Sequence, residues 1–195
     1  MPELGRIALF LCFGASAGAA LAFMGHIKTG DPRLRRVGEY GVYLFCLFAT
    51  AASAGLVYLF LTDAFEVRYV FNHSSTDLPI PYKISGLWAS NEGSLLFWAW
   101  LVSVFGCLVL VFRPREGPDL APRVSLILAV IGAFFAYLTV FVANPFVTTP
   151  VRPTQGLGLN PLLQNPGMLL HPTTLYAGYV GFSVPYAYAM AALLE

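Results

Sequence analysis

Five uncharged runs dominate the hydropathy pattern of the chain: Ile7 to Gly25, Tyr40 to Thr62, Gly93 to Phe112, Val124 to Val142 and Pro172 to Leu194. Each is close to the ~20 residues that an α-helix needs to cross ~30 Å of hydrocarbon, where every backbone polar group must be satisfied inside the segment. The pattern predicts an all-α polytopic membrane bundle, about five transmembrane helices with two long outward loops, forming a single transmembrane domain over residues 1–195. The first run lacks a basic n-region and an A-x-A-like cleavage site at a suitable place, and more spans follow it, so it is expected to be retained rather than cleaved.

Composition agrees with the pattern. The chain is 57% hydrophobic and 11% charged, against ~25% charged residues in a soluble domain. The net charge of +1 singles out no class of partner, and a nucleic-acid partner is not expected. Orientation follows from lysine and arginine, which are retained on the cytoplasmic side. Lys28, Arg33, Arg35 and Arg36 crowd the loop after the first run, and Arg113, Arg115 and Arg123 bracket the loop after the third. Those loops are expected to be cytoplasmic. The N-terminus and the two longer loops, roughly 63–92 and 143–171, are then expected to face outward, carrying His73 and His171 with them.

The cysteines Cys12, Cys46 and Cys107 all fall within apolar runs, where thiols act as small hydrophobes. There is no C-x-x-C, C-x-x-C-H or zinc spacing, P-loop or dinucleotide fingerprint, which disfavours thiol relay and nucleotide chemistry. In the first long loop, Val67, Tyr69 and Phe71 alternate with Arg68 and Asn72 over a few positions, a weak strand signal. Leu78-Pro79-Ile80-Pro81 suggests an extended crossing, and Ser90 or Asn91 suits the cap of the third helix, with Glu92 at its positive end. Trp88, Trp98 and Trp100 read either as an interfacial aromatic belt or as a stacking platform for a flat macrocycle.

In the second long loop, Asn160-Pro161 is expected to begin a short helix that ends at Asn165-Pro166-Gly167. His171 precedes Pro172. A residue before proline is disfavoured in the α region and proline is favoured at the first helical position, so His171 is expected as the N-cap of the fifth helix. On the residues alone it is a cap or a metal ligand. His26 reads as an interfacial polar residue and His73 as a hydrogen-bonded structural one.

Three segments carry a family resemblance. Trp88 to Trp98 resembles the Trp-Gly-Gly-x-Glu-Gly-Ser-Leu-Leu-Leu-Trp motif of the CcmF haem lyase family of cytochrome c maturation and its NrfE and CcsA relatives. Asp63 to Lys83 is similar to that family's outward loop. Leu159 to Gly167, running into His171-Pro172-Thr173-Thr174-Leu175-Tyr176 and Gly178 to Ser183, is the strongest match. The likeness covers the N-terminal third of a full-length member. Thr173 stands where the family has a second proline, and the later Trp-x-Trp-Asp segment and further histidines are absent. The chain is therefore expected to be the N-terminal part of a longer or split protein.

The resemblance implies haem handling in cytochrome c biogenesis: a subunit or fragment of a holocytochrome c synthetase that takes haem b transiently from a periplasmic haem chaperone. It would position the haem for thioether attachment to the CxxCH motif of apocytochrome c. The implied metal ligand is His171, with Trp88, Pro172, Tyr176 and Asn160 as haem-binding residues and no catalytic nucleophile. Implied partners are other cytochrome c maturation membrane subunits, the remaining C-terminal part of the lyase and membrane lipid, in a bacterial inner membrane. The alternatives are a non-catalytic scaffold and a transporter subunit; the latter needs ionisable groups inside the spans, and the five runs contain none.

The charge pattern generates a direct test of topology. Reporter fusions after Gly117 and after Gly156 should report opposite compartments, cytoplasmic for the first and periplasmic for the second; the reverse pattern would overturn the orientation.

Overall fold

The computed structural model describes residues 1–113 and 119–195; Arg115 and Gly117, used above for charge counting and for the fusion site, lie outside the described residues. Among the described residues the chain is helical with one isolated bridge, Val67 to Thr148. Four helices are long and apolar enough to span a membrane: α1 Pro2–Thr29, α2 Pro32–Leu61, α5 Asn91–Val111 and α6 Ala121–Tyr137, the last extended by a π-turn over Leu138–Val142. Two short helices, α3 Arg68–His73 and α4 Ile80–Ser85, followed by a 3-10 turn Gly86–Trp88, cap one end between α2 and α5.

The fifth apolar run differs from the expectation. It forms two pieces, α7 Pro166–Gly181 and α8 Ser183–Leu193, interrupted at Phe182. Pro185, in the first turn of α8, has no N–H to offer the Gly181 carbonyl four residues back, which breaks the ladder there. The expected strand at 67–71 is also not formed. Arg68 N–H donates to the Val147 carbonyl at 2.9 Å and Thr149 N–H to the Glu66 carbonyl at 2.8 Å. The pairing stops there because the chain turns into α3 to bury Tyr69 and Val70. The proline pair likewise does not make an extended crossing. Pro79 is the N-cap of α4 and Pro81 sits in its first turn, where the missing N–H is of no consequence.

The helices bury small residues against large ones: Ala49, Ala52, Ala99 and Ala136 are almost fully covered, with Phe23, Phe60 and Leu56 filling the spaces between. The three thiols lie within the spans and are free, Cys12 buried and Cys46 and Cys107 partly so. At the end with the basic loops, Arg35 donates to Glu39 at 3.1 Å and to Asp119 at 2.6 Å, and Arg113 donates to Glu39 at 2.7 Å. These pairs are partly exposed and worth ~0–1 kcal/mol each, yet they bring the ends of α2, α5 and α6 to one face. Nearby, the His26 ring Nδ1 lies 2.9 Å from the Asp31 carbonyl.

The opposite end is held by two buried polar contacts. Lys83, 8% exposed, donates through Nζ to both Asp63 oxygens at 2.6 and 2.7 Å, joining α4 to the turn after α2. Tyr69 packs edge-on against Phe60; its hydroxyl donates to the Gly86 carbonyl at 2.9 Å and accepts from Ser90 N–H at 3.1 Å. Burial pushes this phenol above its ordinary pKa, so it remains a donor. A methyl on Gly93 would overlap the Leu87 carbonyl and the Tyr69 hydroxyl, so only glycine permits α5 to start this close.

Tyr69→Phe leaves the Ser90 amide without a partner and removes the shorter of the two hydrogen bonds to the Gly86 carbonyl, which also accepts from Ala89 N–H at 3.3 Å, and should lower stability by about 1–3 kcal/mol; Gly93→Ala should cost a similar amount through overpacking. Thermal unfolding of the detergent-solubilised variants, followed by circular dichroism, checks both. Unchanged midpoints would remove this contact as a structural tie.

Candidate functional site

The second long loop enters its helix through two successive asparagine–proline caps. Asn160 Oδ1 accepts from Leu162 N–H at 3.0 Å and opens the 3-10 turn Pro161–Leu163. Asn165 Oδ1 accepts from Gly167 N–H at 2.8 Å and opens α7 with Pro166 at its first position. The short helix thus begins where the sequence places it, but it ends at Gln164; Asn165-Pro166-Gly167 starts the next helix instead of stopping the last. In consequence His171 is not an N-cap. It lies in the second turn of α7, with Pro172 inside the helix. The preference of a pre-proline residue for extended backbone is weaker than an Asn-Pro cap that fixes the helix start five residues earlier.

Inside α7 the threonines bond backward: Thr173 Oγ1 donates to the Leu170 carbonyl at 2.8 Å, and Thr174 Oγ1 to the His171 carbonyl at 3.0 Å. Such bonds close on the helix at the level of the proline. Helical spacing then divides the site residues. His171 shares a face with Leu175, Gly178 and Phe182, all exposed, Phe182 at 74%. Pro172, Tyr176 and Val180 turn inward, Val180 being 2% exposed. Tyr176 is five residues from His171 and so about 140° around the helix axis.

The inward face meets an aromatic cluster at the start of α5. Phe97 lies at its centre, 5.7 Å from Trp88, 5.6 Å from Trp100 and 6.0 Å from Tyr176 between ring centroids. Trp98 sits deeper, 5.0 Å from Phe135 on α6, 5.8 Å from Tyr176 and near-parallel to Tyr179 at 6.5 Å. A hydroxyl chain runs beside the rings: Tyr176 donates to Ser94 Oγ and Ser94 Oγ to the Trp88 carbonyl, both at 3.3 Å. Of the expected site residues, the structure therefore brings Trp88 and Tyr176 together through Phe97, leaves Asn160 exposed as a cap on the loop, and sets His171 on the other side of α7. Phe97 was not singled out from sequence because it carries no polar atom to mark it among the other aromatics of the motif.

Two observations bear on a ligand. The Trp88 indole N–H is fully buried and has no partner among the described residues, a state that costs about 1–3 kcal/mol if left unmet. Of the three histidines, His26 and His73 each place Nδ1 at 2.9 Å from a backbone carbonyl, Asp31 and Tyr69 respectively. His73 also packs against the Tyr69 ring. His171 alone has neither ring nitrogen engaged among the described residues and stands on an exposed face.

Residues 88–195 match the family model described as cytochrome C assembly protein. The chain is 38% identical over 193 residues to a cytochrome c-type biogenesis protein CcmF of Haemophilus influenzae, covering 98% of this chain and 30% of the relative. It is 37% identical over 196 residues to a protein of the same description from Escherichia coli, covering all of this chain and 30% of that one. The cytochrome c-type biogenesis protein NrfE of Haemophilus influenzae is 33% identical over 194 residues. Among solved structures, one titled cytochrome c heme lyase CcmF superposes with a TM-score of 0.85 at 31% identity, over 99% of this chain and 30% of that chain. The chain thus spans about 30% of the length of the relatives it matches.

The buried indole generates a stability test. Trp88→Phe removes the unmet N–H but also some packed volume; the two effects oppose each other, so the net change should stay within about 1 kcal/mol. A loss well beyond that, measured by thermal unfolding in detergent, would show that the N–H has a partner.

Proposed function

The chain belongs to the cytochrome c assembly protein family, and from that premise we propose that it receives haem as a substrate and holds it for attachment to apocytochrome c. The observation that carries this reading is His171: an imidazole with neither ring nitrogen engaged among the described residues, on an exposed face of a helix whose other face packs on the bundle. An unshared ring nitrogen is what axial ligation of iron requires.

The other residues support that one. Asn160 and Asn165 set the entry of the loop into α7, Pro172 and the two threonines shape the helix around His171, and Tyr176 ties α7 to Ser94 on α5. The Trp88 N–H offers a buried donor to an acceptor group of the substrate. Haem b would arrive from a periplasmic haem chaperone. Attachment itself is an addition: a cysteine S–H of the CxxCH motif adds across a haem vinyl group, forming a C–S bond while the proton goes to the neighbouring carbon. The chain's own residues would hold and orient the haem during that step and keep competing reactions out. The remaining part of a lyase, further maturation subunits and the lipid of a bacterial inner membrane complete the proposed setting, with the His171 side outward.

His171→Ala should abolish cytochrome c maturation while the protein still inserts, and His171→Met or His171→Cys should retain some haem with an altered absorption spectrum because the axial ligand is changed. Trp88→Ala should lower haem retention more than abundance. Cytochrome c yield, haem content and membrane protein level are measured together. Normal yield at normal level for His171→Ala would reduce the histidine to a surface residue of α7 and end this reading.

A further inference from the structure

A cavity of about 630 Å³ opens at the loop-bearing end of the bundle, between the start of α1, the start of α5 and the π-turn that ends α6. None of its lining residues belongs to α7, so it is separate from the His171 face. Its polar wall holds Arg6, Arg68, Glu92 and Asn144. Arg68 uses its backbone N–H on the Val147 carbonyl, and its guanidinium has no partner among the described residues. Arg6 pairs with Glu3 at 3.1 Å, with side chains 46% and 70% exposed, a contact that solvent screens and that leaves the guanidinium free to be shared. Glu92 pairs with no cation among the described residues. The remaining wall is apolar and includes Phe141 and Val142, 55% and 68% exposed, on the membrane-spanning helix itself.

We propose that this cavity is a binding site for a zwitterionic phospholipid whose headgroup ends in a primary ammonium, the phosphatidylethanolamine class. Arg6 and Arg68 receive the phosphodiester, for which the planar guanidinium is the best-matched side chain. Glu92 receives the ammonium, and the acyl chains continue along Phe141 and Val142. Three features select this ligand. The site sits where a span meets the water interface, the depth of a headgroup. It offers two cations and one anion, matching a phosphate joined to an amine. Its volume lies in the range of sites that enclose a small organic group. Inorganic phosphate would meet the two arginines but also repulsion from Glu92. Phosphatidylglycerol offers Glu92 only neutral hydroxyl donors and no cation, and phosphatidylcholine has no N–H to donate to it.

The test uses the full chain purified in detergent, given equimolar phosphatidylethanolamine, phosphatidylcholine and phosphatidylglycerol, with bound lipid counted by native mass spectrometry. Phosphatidylethanolamine should be retained about tenfold over phosphatidylcholine, the ratio expected of one charge-assisted contact. Arg68→Gln and Arg6→Gln should each lower its retention by a similar factor; Arg6 is exposed near the start of α1, so its replacement leaves the core untouched. Glu92→Gln should erase the preference for phosphatidylethanolamine over phosphatidylglycerol. Equal retention of the three lipids, arginine variants that bind as the parent does, or displacement of the lipid by inorganic phosphate would each overturn the proposal. The readout contains no haem, so it stands or falls independently of the role of His171.

Discussion

The position of everything at the loop-bearing end depends on one phenol. Tyr69 joins the Gly86 carbonyl to the Ser90 amide and packs on Phe60 of α2, so one side chain fixes the short cap helices and the start of α5 against the second span. Away from water, a backbone donor left unmet would be costly; the hydroxyl meets the Ser90 donor and gives the Gly86 carbonyl its shorter hydrogen bond. Gly93 makes the arrangement possible by leaving room for the oxygen. From that start follow the register of Ser94 and Phe97, and through them the seat of Tyr176 and the rotation of α7.

That dependence explains which parts of the molecule the sequence discloses. Four spans and the all-α class are plain in the uncharged runs, because crossing hydrocarbon demands a continuous apolar segment and leaves little else to read. The fifth run is read as a single helix since Pro185 adds no charge to it; only the backbone bond it withholds from Gly181 shows the break. His171 is placed at the helix start instead of in the second turn because its proline is weighed without the stronger Asn165-Pro166 cap. The Asp63–Lys83 pair links residues 20 apart in sequence across a cap whose turns cannot be counted from pattern. Phe97 is invisible for a different reason: a residue central to packing, with no chemistry of its own, differs from other apolar residues only by its neighbours.

The start of α5 serves two surfaces. On one flank Ser94 and Phe97 face Tyr176 and hold α7; on the other, Glu92 lines a charged cavity against α1 and the end of α6. The two lie within one helical turn and a half of each other, yet they share no side chain. The helix that carries His171 and the charged recess are thus set by the same rigid origin. Displacing that origin, as overpacking at Gly93 would, disturbs both together, whereas changes at His171 or Arg68 stay local.

The gap in the ladder at Phe182 has a mechanical meaning. α8 is seated on α6 through Ala187 and Ala191, both fully buried, while α7 beyond the gap is held mainly at its inner face by aromatic contacts and one hydroxyl pair. His171 stands eleven residues from the joint, about 16 Å along the helix axis. The upper segment is therefore a lever with its fulcrum at a proline-weakened turn. A tilt of roughly ten degrees at the fulcrum would displace the imidazole by about 3 Å, so the position of His171 is set as much by the turn at Phe182 as by its own surroundings.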